Sequence, residues 1–225
     1  MTFPMGSFTS IVGESGCGKS TISSILMGRN KGYIGSITVG GIELSELSES
    51  SLMKHFTYVS HQSYLFKGTV RENLLMGCPK ATDEALWSVL ERVNIADFLK
   101  SEKGLETCLT EKASNLSGGQ CQRLALARAL LHDSPVYIFD EASSNIDVES
   151  EIDIMREIHA LAKTKTVILI SHRLANVTKS DKIYVMFQGK VEACGSHEEL
   201  LKNNGAYAIL WNAQQALENF GKDGD

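Results

Sequence analysis

The chain has 225 residues, 43% hydrophobic and 22% charged, with a formal net charge of −5. That length and mix suit one large α/β domain, or a core carrying an inserted subdomain, and an acidic balance without a basic stripe argues against a nucleic-acid partner. No apolar run approaches the roughly 18–20 residues that cross a bilayer, and the N-terminus lacks a charged-then-apolar leader pattern. The five cysteines (Cys17, Cys78, Cys108, Cys121, Cys194) form no C-x-x-C pair, which disfavours a disulfide framework or zinc site and fits a reducing compartment.

In chain order, the apolar run Phe8–Val12 predicts a strand. It leads into Gly13-Glu14-Ser15-Gly16-Cys17-Gly18-Lys19-Ser20-Thr21, with a helix-forming stretch from Thr21 to Met27. The pattern is G-x-x-x-x-G-K-[ST], a phosphate-binding loop. Glycines let the backbone fold into a nest of N–H groups, and the following helix adds its positive end to the same anion. Lys19 then reaches the β/γ-phosphates and the Ser20 hydroxyl ligates Mg²⁺. A glycine-rich turn before an ordinary helix would explain Gly16 and Gly18 but not Lys-Ser-Thr. The loop points to a nucleoside triphosphate.

Further along, Ile37 and Val39 alternate before Gly40-Gly41, predicting a β-hairpin within 34–44. Phe56–Val59 is a short apolar run ahead of Ser60-His61-Gln62. From 63 to 132 the pattern is helical (83–92 and 120–131) with almost no strand signal, as expected of an inserted helical subdomain; 1–62 and 133–225 would form the core. Val136–Phe139 and Val167–Ile170 read as buried parallel strands, joined by a helical crossover over 149–163. The runs 183–187 and 191–194 precede helical patterns at 197–202 and 207–217.

The run Val136–Phe139 ends in Asp140-Glu141. A carboxylate there can hold Mg²⁺ through water, and its neighbour can polarise an attacking water; Asp140 is assigned to the metal and Glu141 to the water. Acidic turns after strands are common, so this pair gains its weight from Gly13–Thr21. Ser117-Gly118-Gly119-Gln120, opening a helix, offers a second anion site from exposed N–H groups and a hydroxyl. A capped helix with a flexible lead-in explains Ser-Gly-Gly equally well.

Leu116-Ser117-Gly118-Gly119-Gln120, about twenty residues before Asp140, resembles the signature sequence of ATP-binding cassette (ABC) ATPases. The other elements of that family follow its order. Gln62 matches the Q-loop glutamine, implying contact with Mg²⁺ and the attacking water. Asp147, in Ser143-Ser144-Asn145-Ile146-Asp147, matches the acid of the D-loop, implying communication across a dimer. His172, after Val167–Ile170, matches the switch histidine, implying contact with the γ-phosphate. The resemblance covers about residues 6 to 205. It implies a phosphate-loop NTPase α/β core with a mostly parallel sheet, a small antiparallel β part shortened at the N-terminus, and an inserted α-helical subdomain. It also implies two ATP molecules, with Mg²⁺, sandwiched between this cassette and a second, identical or homologous one. Ser117, Gly118, Gly119 and Gln120 of one copy would then face the loop of the other.

Leu65-Phe66-Lys67-Gly68-Thr69-Val70-Arg71-Glu72-Asn73-Leu74 is similar to a segment of exporter-type members that receives coupling helices of the membrane domain. Thr107-Cys108-Leu109-Thr110-Glu111 resembles the exporter X-loop, with Thr110 and Ala113 standing where exporters usually carry glycine. Cys121 replaces a commonly basic residue, and Asn145-Ile146 replaces the usual Ala-Leu; the catalytic set Lys19, Asp140, Glu141 and His172 is complete. Only twelve residues precede Gly13, so the adenine-stacking aromatic of the family is absent. The expectation is a C-terminal portion of a longer exporter, its transmembrane domain upstream on the same polypeptide, at the cytoplasmic face of the cell membrane. Weakened ATP affinity would follow, since stacking contributes on the order of 1–3 kcal/mol. Competing expectations are a soluble non-transport ABC ATPase and a nucleotide-gated regulatory module.

Overall fold

A computed structural model describes residues 1–61, 64–144 and 146–220, the side chains of 218–220 excepted. In chain order the elements are β1 (Phe8–Gly13), α1 (Lys19–Leu26), β2 (Thr38–Val39), β3 (Ile42–Glu43), α2 (Glu49–His55), β4 (Phe56–Ser60), β5 (Gly68–Thr69), α3 (Val70–Leu75), α4 (Asp83–Arg92), α5 (Ala96–Ser101) and β6 (Cys108–Leu109). There follow α6 (Gly118–His132), β7 (Val136–Asp140), α7 (Val148–Leu161), β8 (Thr166–Ile170), β9 (Lys182–Phe187), β10 (Lys190–Gly195), α8 (His197–Lys202) and α9 (Ala206–Phe220).

Six strands make the central sheet, in the order β10-β9-β1-β8-β7-β4. All neighbouring pairs are parallel except β10 with β9, which is antiparallel and bulged between Val191 and Ala193. The apolar runs are uninterrupted because both faces of the sheet are covered. Side chains alternate across it: Tyr137, Phe139, Val167 and Leu169 join Leu90, Leu124, Ile154 and Ile158 on one side. Ile138, Ile168 and Ile170 join Leu26, Leu52 and Phe56 on the other. Each such side chain, once buried, contributes about 1.5–3 kcal/mol. The result is the α/β phosphate-loop NTPase fold with a mostly parallel sheet.

The predicted hairpin is the pair β2–β3. Its two-residue turn has φ +59° at Gly40 and +84° at Gly41, the positive pair a type I′ turn requires. The helices predicted at 83–92 and 197–202 keep their limits, and the others shift by one to three residues. α6 starts at Gly118 because Ser117 caps it, and α7 starts at Val148 because Asp147 does.

The stretch 63–132 corrects one expectation. It does hold strands: β5 and β6 pair antiparallel, Gly68 with Leu109 and Thr69 with Cys108. Two residues per strand leave no periodicity to read. The ribbon brings the two exporter-like stretches, 65–74 and 107–111, side by side, and Val70 N donates to Thr107 O (3.0 Å). Asn73, 1% exposed, locks the preceding turn by accepting from Phe66 N and donating to the carbonyls of Phe66 and Thr69.

Candidate functional site

Four neighbouring parallel strands, β1, β8, β7 and β4, end along one edge of the sheet. In an open α/β sheet this carboxyl edge is where ligands bind. β1 delivers Gly13, β8 delivers Ser171-His172, β7 delivers Asp140-Glu141, and β4 delivers Ser60-His61. The backbone stitches these ends together: Ser171 N donates to Ile11 O, Glu141 N to Ile170 O, and His61 N to Asp140 O, at 2.9–3.2 Å.

After β1 the chain turns through Gly13 (φ +148°), Gly16 (+79°) and Gly18 (+102°). At Gly13 glycine is required twice over. Its φ is one that other residues rarely adopt, and a Cβ there would lie 2.8 Å from Cys17 Sγ and overlap the Met186 carbonyl. Gly18, in the left-handed region, is the N-cap of α1. The N–H groups of Ser15, Gly16 and Gly18 make no hydrogen bond among the described residues. Glu14, Ser15 and Gly16 are exposed, as are Ser20 and Thr21 in the first turn of α1, whereas Cys17 is buried beneath the loop.

Lys19 is 6% exposed. Its ammonium donates to Gly13 O (2.8 Å) and Glu14 O (2.9 Å) and lies 3.9 Å from Cys17 Sγ. A buried cation thus sits against the carbonyls of a loop that keeps N–H donors unspent, a combination that fits a polyphosphate.

Asp140, 5% exposed, is oriented by two hydroxyls on the same oxygen: Ser23 Oγ (2.7 Å) and Tyr58 OH (2.9 Å) both donate to Oδ2. Burial, with the Asp140 charge second, pushes the Tyr58 phenol up to about 12. Neither Ser23 nor Tyr58 was singled out from the sequence. Ser23 stands four residues after Lys19, one turn along the same face, and Tyr58 lies two residues before Ser60, whose register partner is Asp140.

Among the described residues no three His, Cys, Asp or Glu side chains gather to hold a metal by themselves. Ser20 and Asp140 suit Mg²⁺, which is ordinarily bound through one or two protein oxygens together with water and substrate phosphates. Gln62, the third predicted metal contact, lies outside the described residues, as does Asn145 of the D-loop stretch.

Glu141 has φ +53°. A non-glycine residue in that region costs roughly 1–2 kcal/mol, and such residues gather at functional sites. Its carboxylate meets His172, Oε1 to Nδ1 at 3.7 Å, with both side chains partly open to solvent. Glu151, 7% exposed on α7, ties the flanking segments together: it pairs with Arg173 and accepts from Asn176 Nδ2 (2.9 Å) and Ser143 Oγ (3.3 Å).

Ser117 and Gln120 form a reciprocal capping box at the start of α6. Gln120 N donates to Ser117 Oγ (3.2 Å) and Ser117 N to Gln120 Oε1 (2.9 Å). The capped-helix reading is therefore realised. It leaves the anion reading open, because Ser117 Oγ accepts within the box and keeps its proton to donate outward. None of Ser117, Gly118, Gly119 and Gln120 hydrogen-bonds to the loop 13–21 of its own chain. Asp147 caps α7, accepting from Ser150 N (2.8 Å) and Ser150 Oγ (2.7 Å).

The fold and this edge place the chain in the phosphate-loop NTPase fold class. The family model for ABC transporters matches residues 1–144, and the chain belongs to that family. It is 50% identical over 207 residues to an uncharacterised ABC transporter ATP-binding protein of Haemophilus influenzae, covering 92% of this chain and 37% of that protein. To the ATP-dependent lipid A-core flippase of Haemophilus ducreyi it is 40% identical over 215 residues, covering 95% and 37%. Among solved structures it is similar to a bacterial Atm1-family ABC exporter with ATP bound, at a TM-score of 0.89 and 36% identity, over 94% of this chain and 37% of that one. The chain thus spans little more than a third of these relatives. Among the described residues no helix is long and apolar enough to cross a membrane.

Proposed function

We propose that the chain is the ATP-binding and ATP-hydrolysing cassette of an ABC exporter, acting at the cytoplasmic face of the cell membrane beneath a transmembrane domain. The observation that carries this reading is the meeting of Lys19, Asp140, Glu141 and His172 along one edge of the sheet. The likeness to a flippase and an exporter supports the transport part.

Gly13 to Thr21 grip the triphosphate, with the loop N–H groups and Lys19 facing its negative oxygens. Ser20 and Asp140, with Gln62, would hold Mg²⁺, which would supply positive charge against the phosphate oxygens. Glu141 takes a proton from the water that attacks the γ-phosphorus, as the bond to the leaving ADP oxygen breaks. His172, facing Glu141, contacts the γ-phosphate. Ser117, Gly118, Gly119 and Gln120 come from a second cassette and close over the nucleotide, and Asp147 passes the state of one site to the other. Residues 63–132 act as the inserted subdomain carrying this signature on the core formed by 1–62 and 133–225. Tyr64 and Phe66, both exposed and in edge-to-face contact at 4.8 Å, offer a surface for the coupling helices.

Glu141→Gln tests the reading. It should lower turnover by about 10²–10⁴-fold, the usual worth of a general base, and accumulate an ATP-bound dimer on gel filtration. Near-normal turnover would rule out Glu141 as the base.

A further inference from the structure

The last helix reaches back to the segment that carries His172. The Gln214 amide on α9 makes two hydrogen bonds to it: Nε2 donates to His172 O (2.5 Å), and Oε1 accepts from Leu174 N (2.9 Å). One planar group therefore brackets the peptide groups on both sides of Arg173. From within the segment, Arg173 N donates to Ser171 Oγ (3.0 Å). The backbone from 171 to 174 is held from two directions, while the His172 side chain stays half exposed and 3.7 Å from Glu141 Oε1.

The helix is in turn fixed in register. Tyr207, 1% exposed, bonds His197 Nδ1 through its hydroxyl (2.7 Å), and Trp211 packs edge-on against the same imidazole, ring centres 4.6 Å apart. Tyr207, Trp211 and Gln214 recur at helical spacing on one face. Leu174, 2% exposed, anchors the other side of the contact in the core.

We propose that Gln214 is a positioning residue for ATP hydrolysis. Acting through the 172–174 backbone, it holds the His172 imidazole facing Glu141, so the seating of α9 sets the competence of the site. The latch rests on the reading of His172 as the γ-phosphate contact.

The test is steady-state ATPase activity of the chain assembled with its transmembrane partner in proteoliposomes, for wild type, Gln214→Ala, Gln214→Glu and His172→Ala. Gln214→Glu is nearly isosteric and still accepts from Leu174 N, but has no N–H for His172 O, so it separates the latch from packing. Losing the hydrogen bond to His172 O, alone in Gln214→Glu and together with the one from Leu174 N in Gln214→Ala, should lower kcat about tenfold in both variants, with KM for ATP within about twofold of wild type. A wild-type kcat in Gln214→Glu overturns the latch whatever the alanine variant does, as does a raised KM at unchanged kcat. Wild-type turnover in His172→Ala overturns instead the reading of the site on which the latch stands.

Discussion

The Asp147 carboxylate occupies the space that a side chain on Gly119 would need: a Cβ there would stand 2.8 Å from Asp147 Oδ2, with Ser150 Oγ nearer still. Neither neighbour is free to yield. Ser150 donates to Asp147 through both its N–H and its hydroxyl, and Arg123 Nη2 donates to Ser150 Oγ (2.6 Å). Gly119 and Asp147, separate features in the sequence, are one packed contact between the starts of α6 and α7.

Gly119→Ala should therefore destabilise the chain by about 1–3 kcal/mol, as overpacking does, and Asp147→Ala by about 1 kcal/mol through loss of the cap. The double variant should lose less than the sum, by at least about 0.5 kcal/mol, because removing the carboxylate frees Ser150 to rotate away. Urea unfolding of the four proteins measures this. Strict additivity would show that the two residues do not share the space.

Asp147 also makes a pH prediction. Donation from the Ser150 backbone N–H, then from its hydroxyl, lowers its pKa from 3.8. The sign follows from a depressed folded value: the stabilisation is present above the unfolded pKa and disappears as pH falls below about 4. Asp147→Asn caps a helix nearly as well but does not titrate. It should match wild type at pH 7 and lose less stability between about pH 5 and 3. Parallel acid-unfolding curves would argue that the cap is already broken in solution.

At the alkaline end, Tyr58, Tyr137 and Tyr207 are each pushed up to about 12, burial being the largest cause in all three. A raised folded pKa keeps its stabilisation below the unfolded value of about 10 and loses it as pH climbs towards 12. Absorbance at 295 nm should show a late step shared by these three of the six tyrosines, coincident with loss of circular dichroism. Tyr58→Phe should remove one third of that step. Titration of all six near pH 10 contradicts the packing around them.

Ala113 has φ +52° and is 1% exposed. Glycine there would relieve roughly 1–2 kcal/mol of left-handed strain. It would also lose about 0.8 kcal/mol for the buried methyl and about 0.4–1 kcal/mol of unfolded-chain entropy. Ala113→Gly should consequently be neutral within about 1 kcal/mol, while Ala113→Val, β-branched and larger, should cost more than about 2 kcal/mol. Thermal denaturation of both variants decides it. A clearly stabilised glycine variant would mean that the strain outweighs the other two contributions.

Ala113 also illustrates what was legible. Its mismatch with the glycine usual in exporters is visible in the sequence, and the positive φ supplies the reason. Thr110, also at a glycine position, has φ −75° and needs no glycine. The buried strands were readable because Val136–Phe139 and Val167–Ile170 are apolar without a break, and the phosphate loop because its residue types have no other joint use. The β5–β6 ribbon was not: its strands are two residues long and some forty residues apart. α2 escaped because only Leu52 on it is buried, too little to make a stripe. α3 could have been found, since Thr69 and Glu72 form a capping box at its start. Nothing in the sequence marks Gln214, whose partners are backbone groups some forty residues away.

α6 carries Ser117 to Gly119 at its beginning and holds two backbone carbonyls further along, Gln122 donating to His61 O (2.9 Å) and Arg128 to Tyr64 O (2.9 Å). Mechanically it is a lever. From Ser117 to Arg128 is about 16 Å at 1.5 Å per residue, so a tilt of ~10° pivoting at Arg128 carries the Ser117 end through about 3 Å. That distance is the difference between a hydrogen bond made and a hydrogen bond missed.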